Sequence, residues 1–172
     1  MNGSSSHRRF AQAAFAAFLI FALPGTALAA SAPDCDWNLD GVKQIANTQQ
    51  FRGKVLYVDF WASWCAPCVL SFPFMNQLQS ALGGQGLQVL AVNMDARSED
   101  EQRFLAAHPA RFDVASGENA QCAKNFGVAA MPSSFIVDRA GTIRFVHRGF
   151  RPDDAGQLRT EVQQLLANKL AQ

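Results

Sequence analysis

The sequence predicts an α/β fold in which a central mixed sheet carries helices on both faces. Two β-rich apolar runs, residues 55–60 and 87–94, are each followed by a stretch with helical character. Two further strand-like runs, 133–137 and 142–147, are joined by Asp-Arg-Ala-Gly, a turn typical of a β-hairpin. With 172 residues, of which 49% are hydrophobic, the chain can bury the core of one ordinary domain. The expected order is strand, helix, strand, helix, short strand, helix, strand, strand, helix.

The N-terminal stretch has the pattern of a secretory signal. A short basic region, residues 7–9, precedes an apolar run over 10–23, and Ala-Leu-Ala at 27–29 has the small-x-small spacing that a signal peptidase reads. An apolar run of about 14 residues is short for a membrane-spanning helix, which needs about 20. We therefore predict that residues 1–29 are a cleaved signal peptide and 30–172 the mature domain, with an uncleaved membrane anchor as the minor alternative.

The first half of the mature chain is organised around one strand and one helix. Residues 31–36 are expected to form a loose arm, and the polar stretch 44–50 has no clear assignment. The strand over 55–60 follows an Arg-Gly-Lys turn. From Cys65 a helix is predicted to about residue 82, with a kink at Pro73 because proline lacks a backbone donor and clashes with the preceding turn.

The second half alternates short elements before the terminal helix. A buried strand is predicted over 87–94, and Ser98 with Glu101 has the spacing of a capping box that opens a helix to about 107. A short strand over 112–115 and a short helix over 120–126 follow, the latter ended by Gly127. After the hairpin, a final helix is predicted from the helical spacing of its apolar residues: Leu158, Val162, Leu165, Leu166 and Leu170.

Charge and cysteine content limit the partners and the compartment. The net charge is +1, and removal of the first 29 residues takes away two arginines and no acid, which makes it −1. Since no basic stripe is present, nucleic acid is not an expected partner. All four cysteines lie after residue 29, and an even number of cysteines in an oxidising compartment favours pairing. The spacing pairs Cys65 with Cys68, which leaves Cys35 and Cys122 either joined in a second, structural disulfide or as two unpaired buried thiols.

The pair Cys65 and Cys68 has the spacing of a redox-active dithiol at a helix start. Free backbone N–H groups and the helix dipole stabilise a thiolate there, so Cys65 is predicted to be the exposed nucleophile and Cys68 the buried resolving thiol. The Cys65 thiolate would attack a substrate disulfide, and Cys68 would then release the reduced substrate. A half zinc site is the competing interpretation, but no second close Cys/His pair supplies the remaining ligands. We therefore expect neither a metal nor a cofactor.

Two segments carry a family resemblance. VDFWASWCAPC, followed by FGVAAMPSSFIVDRAGTIRFVHRG, resembles the TlpA/ResA-like branch of the thioredoxin superfamily over most of residues 55–172. The resemblance implies a thioredoxin fold. It also implies a secreted or membrane-tethered thiol–disulfide oxidoreductase, since those relatives mostly act as reductants in an oxidising compartment.

Asp59 is the third candidate catalytic residue. It lies among apolar residues six positions before Cys65, so it is expected to be buried behind the two cysteines with a raised pKa. Such a carboxylate can take the proton from Cys68 when that thiol attacks, and the resemblance implies the same role. An acid that merely pairs or caps at the strand end is the alternative.

The resemblance also implies a substrate-binding surface beside the dithiol. It makes Met131-Pro132 a candidate cis peptide bond facing the disulfide, with the backbone of Met131 able to pair with a substrate strand. The predicted groove is formed by Trp64, Ala66, Pro67, Met131 and Pro132. Plain core packing is the alternative for Trp64 and Met131.

These residues predict a periplasmic thiol–disulfide oxidoreductase. The leading hypothesis is a monomeric reductase of disulfides in secreted proteins, as in cytochrome c maturation or copper-site assembly, recharged by a membrane electron donor of the DsbD/CcdA kind. A dithiol oxidase would use the same residues, and a Cu(I)-binding chaperone would use the two cysteines as ligands. A peroxidase fits less well, because Ala62 stands three positions before Cys65 and no arginine is near in sequence.

Overall fold

The computed structural model describes residues 30–39, 44–117 and 119–168. The predicted signal peptide, residues 1–29, and Leu170 of the last predicted stripe lie outside the described residues. Among the described helices, none combines the length and the apolar character needed to cross a membrane.

Across residues 30–39, 44–117 and 119–168, the core of the fold is one seven-stranded mixed sheet. Its strands are β1 (Asp36–Leu39), β2 (Gln44–Asn47), β3 (Val55–Trp61), β4 (Leu87–Asn93), β5 (Asp113–Ser116), β6 (Ser133–Val137) and β7 (Ile143–Arg148), in the spatial order β2-β1-β5-β4-β3-β6-β7. Strands β3, β4 and β5 are parallel, and the remaining pairings are antiparallel. All seven residues of β3 are buried, because this strand has a neighbour on each side and helices above and below.

In the part of the chain that the structure describes, four α-helices cover the two faces of the sheet. They are α1 (Ala66–Leu82), α2 (Ser98–Ala107), α3 (Ala120–Phe126) and α4 (Ala155–Ala167). Apolar residues of α1, α2 and α4 pack in one cluster with Val55, Tyr57 and Trp61 of β3. Residues of α3 pack in a second cluster with the alternate β3 residues, Leu56, Val58 and Phe60. The two clusters follow from the alternation of side chains along a strand. The predicted α/β fold, a mixed sheet with helices on both faces, is confirmed.

The structure adds one strand that the sequence did not predict and contradicts one predicted helix cap. The stretch left unassigned contains β2, which pairs with β1 in an antiparallel hairpin. The predicted capping box at Ser98 is wrong: Arg97 is the N-cap residue and makes no side-chain cap. Glu101 is instead buried and accepts a hydrogen bond from Ser116 Oγ at 2.6 Å. Helix α1 continues through Pro73, which lies on its exposed side, and the predicted kink there stays a prediction.

Candidate active site

The dithiol lies where the central strand passes into α1. Strand β3 ends at Trp61, and a tight turn closed by the hydrogen bond from Cys65 N–H to Ala62 O leads to the helix. Cys65 is the N-cap residue of α1 and Pro67 lies in the first turn, where proline is tolerated because no backbone donor is needed. Cys65 and Cys68 form a disulfide with Sγ–Sγ 2.05 Å. The first sulfur is therefore beside the free N–H groups of the helix start.

Cys65 differs from the sequence expectation in one respect. It is only 4% exposed, against 0% for Cys68, so the predicted nucleophile is not an exposed residue in this oxidised form. The disulfide ties it to a fully buried partner, and both cysteines belong to the core cluster under α1. Cys65 is still the more accessible of the two, which is the order that exchange with an outside disulfide requires.

Asp59 lies beneath this helix. It is completely buried, and strand alternation places it on the face of β3 that carries Tyr57 and Trp61, which is the face that α1 covers. Burial raises the pKa of Asp59 from 3.8 to about 7, and a hydrogen bond from Ser134 Oγ to Asp59 Oδ1 at 2.6 Å opposes part of that rise. At neutral pH the carboxyl group can therefore both take and release a proton.

The hydrogen-bond network around Asp59 includes two residues that the sequence did not indicate. Tyr57 Oη donates a hydrogen bond to Ser134 Oγ at 2.9 Å. Burial raises the pKa of Tyr57, and the nearby charge of Asp59 raises it further. Ser134 lies directly opposite Asp59 in the β3–β6 register. No local pattern reveals this contact, because it depends on a strand pairing across 75 positions of the chain.

Asp95, which the sequence analysis did not indicate, binds the turn before Cys65. Asp95 Oδ2 accepts from the Ser63 backbone N–H and Asp95 Oδ1 accepts from Ser63 Oγ, both at 2.9 Å. Asn93 Nδ2 also donates to Asp95 at 2.9 Å. A signal was available, since Asp95 lies two residues after the end of β4, whose carboxyl end lies beside that of β3 in a parallel pair.

The residues predicted to bind substrate lie at the same edge of the sheet. The Met131–Pro132 peptide bond is cis. Ser133 pairs with Phe60 in the β3–β6 register, which brings this loop to the end of β3 where the dithiol turn begins. Trp64 is 69% exposed, and Ala66 and Pro67 are exposed beside it. Met131 is partly buried and packs against the cluster that contains both cysteines, whereas Pro132 is buried.

The second cysteine pair is also bonded. Cys35 and Cys122 form a disulfide that joins the residue before β1 to α3, on the opposite face of the sheet from Cys68. Within the three described ranges, no three His, Cys, Asp or Glu side chains are grouped so that they could hold a metal ion.

Fold and site together define the class. A mixed sheet, a cis-proline loop and a Cys-x-x-Cys disulfide at a helix start are the features of a thioredoxin-fold protein with a redox dithiol. A model of the Redoxin family matches residues 27–165, and the chain belongs to that family. The resemblance to the TlpA/ResA-like thioredoxin-fold oxidoreductases is confirmed.

Individual relatives agree with this assignment. The solved structure of a candidate thiol:disulfide interchange protein DsbE from Chlorobium tepidum is 42% identical, covers 79% of this chain and 95% of that one, and superposes with a TM-score of 0.75. The thioredoxin domain of a thiol-disulfide oxidoreductase from Bacteroides vulgatus shares the fold, with 20% identity, coverage of 78% and 96%, and a TM-score of 0.69. The thiol-disulfide oxidoreductase ResA of Bacillus thuringiensis subsp. konkukian is 29% identical over 106 residues, which are 62% of this chain and 60% of ResA.

Proposed function

We propose that this protein is an enzyme, a thiol–disulfide oxidoreductase that reduces disulfides in secreted proteins. The observation that carries the proposal is the Cys65–Cys68 disulfide at the N-terminus of α1, with the buried carboxyl of Asp59 on the sheet face beneath that helix. The relatives named ResA and DsbE, described as thiol-disulfide oxidoreductase and thiol:disulfide interchange protein, support the same activity.

The reaction needs only the residues of this site and a substrate disulfide. The Cys65 thiolate attacks one substrate sulfur, a mixed disulfide forms, and the first substrate thiolate leaves and takes a proton from solvent. Asp59 takes the proton of Cys68, and the resulting thiolate attacks Cys65. The Cys65–Cys68 bond forms while the bond to the substrate breaks, so two electrons pass from the dithiol to the substrate.

The proposed direction of electron flow is towards the substrate. Ala66-Pro67 between the cysteines lacks the histidine that would stabilise a strongly oxidising thiolate. We expect a reduction potential of about −270 to −200 mV, on the thioredoxin-to-glutaredoxin side of the known range. Equilibration with glutathione mixtures measures it, and a value near −120 mV would instead identify a dithiol oxidase.

The proposed location is the periplasm, with residues 1–29 removed as a signal peptide and 30–172 acting as a monomeric domain. The N-terminal sequence pattern supports export, and the Cys35–Cys122 disulfide is of a kind that persists in an oxidising compartment. Substrates there would include cysteines of proteins in cytochrome c maturation or copper-site assembly. A membrane electron donor of the DsbD/CcdA kind would return the enzyme to the dithiol form.

Trapping identifies the substrate. A Cys68→Ser variant retains the nucleophile but cannot resolve the mixed disulfide, so it is expected to accumulate covalently with its partner in the periplasm. A matched Cys65→Ser/Cys68→Ser variant should capture nothing. Equal capture by both variants, or none by Cys68→Ser, would contradict the proposal.

A further inference from the structure

The carboxyl group of Asp59 has two oxygens in different surroundings. Oδ1 accepts the hydrogen bond from Ser134 Oγ, whereas Oδ2 is buried and has no hydrogen-bond partner among the residues that the structure describes. A buried polar atom without a hydrogen-bond partner costs free energy, and a catalytic role is one explanation for its presence. The asymmetry therefore bears on which oxygen carries the proton of Asp59.

The direction of the hydrogen bonds follows from Tyr57. The phenol hydroxyl of Tyr57 has a single proton, and Tyr57 uses it to donate a hydrogen bond to Ser134 Oγ. Because burial raises the pKa of Tyr57, this group stays protonated and remains a donor throughout the working pH range. Ser134 thus accepts from Tyr57, and its own single proton is directed to Asp59 Oδ1.

We propose that Ser134 and Tyr57 are positioning residues for proton transfer: they hold Oδ1 of Asp59 as an acceptor and leave Oδ2 as the oxygen that exchanges a proton with Cys68. The inference rests on the proposed function. When the carboxylate of Asp59 is charged, its Oδ2 accepts the proton of the Cys68 thiol. Cys68 then becomes the thiolate that attacks Cys65. After the disulfide forms, Oδ2 returns the proton to solvent, which protonates the departing substrate thiolate.

The strand register fixes this arrangement. Asp59 and Ser134 are directly opposite in the antiparallel β3–β6 pair, and Tyr57, two residues earlier on β3, is on the same face. Such direct and diagonal neighbours are within reach of each other's side chains. Each of the three side chains is at most 3% exposed, so water does not compete for these hydrogen bonds.

Among the side chains around Asp59, Ser134 is the one whose contact lowers the pKa of this carboxyl group. On β4, the residue opposite Asp59 is Ala91, which carries no charge. From α4, Glu161 acts on Tyr57 and is bonded to His147 Nε2 of β7 at 2.6 Å. At the start of α1, both cysteines of the dithiol belong to the apolar cluster on this side of the sheet. Burial raises the pKa of Asp59, and the Ser134 hydrogen bond is the contact that lowers it.

The test separates the two thiol steps. The fully reduced protein is mixed with an aromatic disulfide that releases one coloured thiolate when Cys65 attacks and a second when Cys68 resolves the mixed disulfide. The rate of the second phase is measured as a function of pH, and the pH at which it is half-maximal is its midpoint. In Ser134→Ala this midpoint should rise by about one pH unit, because a hydrogen bond to a charged group is lost. Below the midpoint its rate should then fall about tenfold. The first phase should keep its wild-type profile.

Three further variants make the result specific. Ser134→Thr retains a hydroxyl and should restore the wild-type midpoint, and Tyr57→Phe should shift it upward by less than Ser134→Ala. Ser133→Ala is the matched control, because it removes the buried hydroxyl of the neighbouring residue, which donates to Ala130 O at 2.7 Å on the other face of β6. It should leave the midpoint of the second phase unchanged.

Failure of this inference differs from failure of the proposed function. If the wild-type protein releases no thiolate at all, the oxidoreductase proposal is wrong. If both phases occur but Ser134→Ala and wild type share one second-phase midpoint, the positioning role of Ser134 is wrong. A carbon-13 titration of the Asp59 carboxyl, which should show the same upward shift in Ser134→Ala, gives an independent measurement that does not depend on the rates.

Discussion

The two disulfides of this protein have similar dimensions and very different surroundings. Their Cα–Cα distances are 5.3 Å for Cys65–Cys68 and 5.8 Å for Cys35–Cys122. The cysteines are 4% and 0% exposed in the first pair and 6% and 8% in the second, so exposure does not distinguish them. What differs is the structure around each bond.

Cys65–Cys68 lies at a helix N-terminus, next to the exposed Trp64 and on the sheet face that carries Asp59. Cys35–Cys122 has no helix start at its first cysteine. The backbone of Cys35 is bonded to Thr48, whose hydroxyl accepts from Cys35 N–H at 3.0 Å and donates to Cys35 O at 3.2 Å. The first set of neighbours favours exchange with a second molecule, and the second set holds two distant segments together.

The largest expected effect is on exchange chemistry. Cys65→Ser should reduce insulin reduction by at least about a thousandfold, because removal of a covalent nucleophile eliminates the reaction path. Cys35→Ala/Cys122→Ala should retain the activity when assayed well below its unfolding temperature. Loss of activity in both variants, each still folded, would show that the two bonds do not have separate roles.

Stability should show the reverse order. In the chain-entropy model, closing a loop over a sequence separation of 87 stabilises by about 4 to 5 kcal/mol, and closing one over a separation of 3 by about 2 kcal/mol. Cys35→Ala/Cys122→Ala should therefore lower the free energy of unfolding more than Cys65→Ala/Cys68→Ala does. Urea unfolding of both variants under oxidising conditions measures the difference, and equal losses would contradict the comparison.

The sequence predicted those parts of the fold and of the site that depend on local patterns. The helix at 120–126 was placed correctly because Gly127 ends it in the left-handed region, with φ of +70°. Burial of Asp59 followed from its apolar neighbours on β3. The family resemblance, and not any local pattern, indicated that the Met131–Pro132 bond would be cis.

What the sequence could not supply depends on pairing between distant segments. The hairpin of β1 and β2 was missed because Gln-Ile-Ala-Asn has no apolar alternation that marks a strand. Ser134 reaches Asp59 across 75 positions, and only the β3–β6 register brings it there. Asp95 reaches Ser63 across 32 positions, and its place directly after the predicted strand 87–94 was the one available signal. The prediction of a capping box was wrong for a related reason. The side chain of Glu101 accepts a hydrogen bond from Ser116, and the local sequence around Ser98 does not indicate that contact.

The raised pKa of the buried Asp59 carboxyl should make the stability of the protein depend on pH. Below its ordinary pKa of 3.8, Asp59 is protonated in both the folded and the unfolded chain, so it has no effect. Between that value and about 7 the unfolded chain loses the proton while the folded protein keeps it, which destabilises the fold by up to about 4 kcal/mol. The loss is complete above pH 7.

Asp59→Asn removes this dependence. The variant should be more stable than wild type at about pH 8, and the difference should shrink towards zero at about pH 4. Chemical unfolding at a series of pH values measures it. A difference that stays constant with pH would mean that the carboxyl of Asp59 is not held with a raised pKa.

The smallest effects should come from the two side chains that hold the cysteine segments. Asp95→Ala removes the acceptors for both the backbone and the hydroxyl of Ser63, two residues before Cys65, and should lower exchange activity several-fold through looser positioning of the turn. Thr48→Val removes the hydroxyl that is bonded to Cys35 and should lower stability by about 1 to 2 kcal/mol without changing activity. Activity and urea unfolding measured on both variants provide the check. If Thr48→Val slowed exchange as much as Asp95→Ala did, the surroundings of the two bonds would not explain their separate roles, because a purely structural support would then affect the chemistry on the opposite face of the sheet.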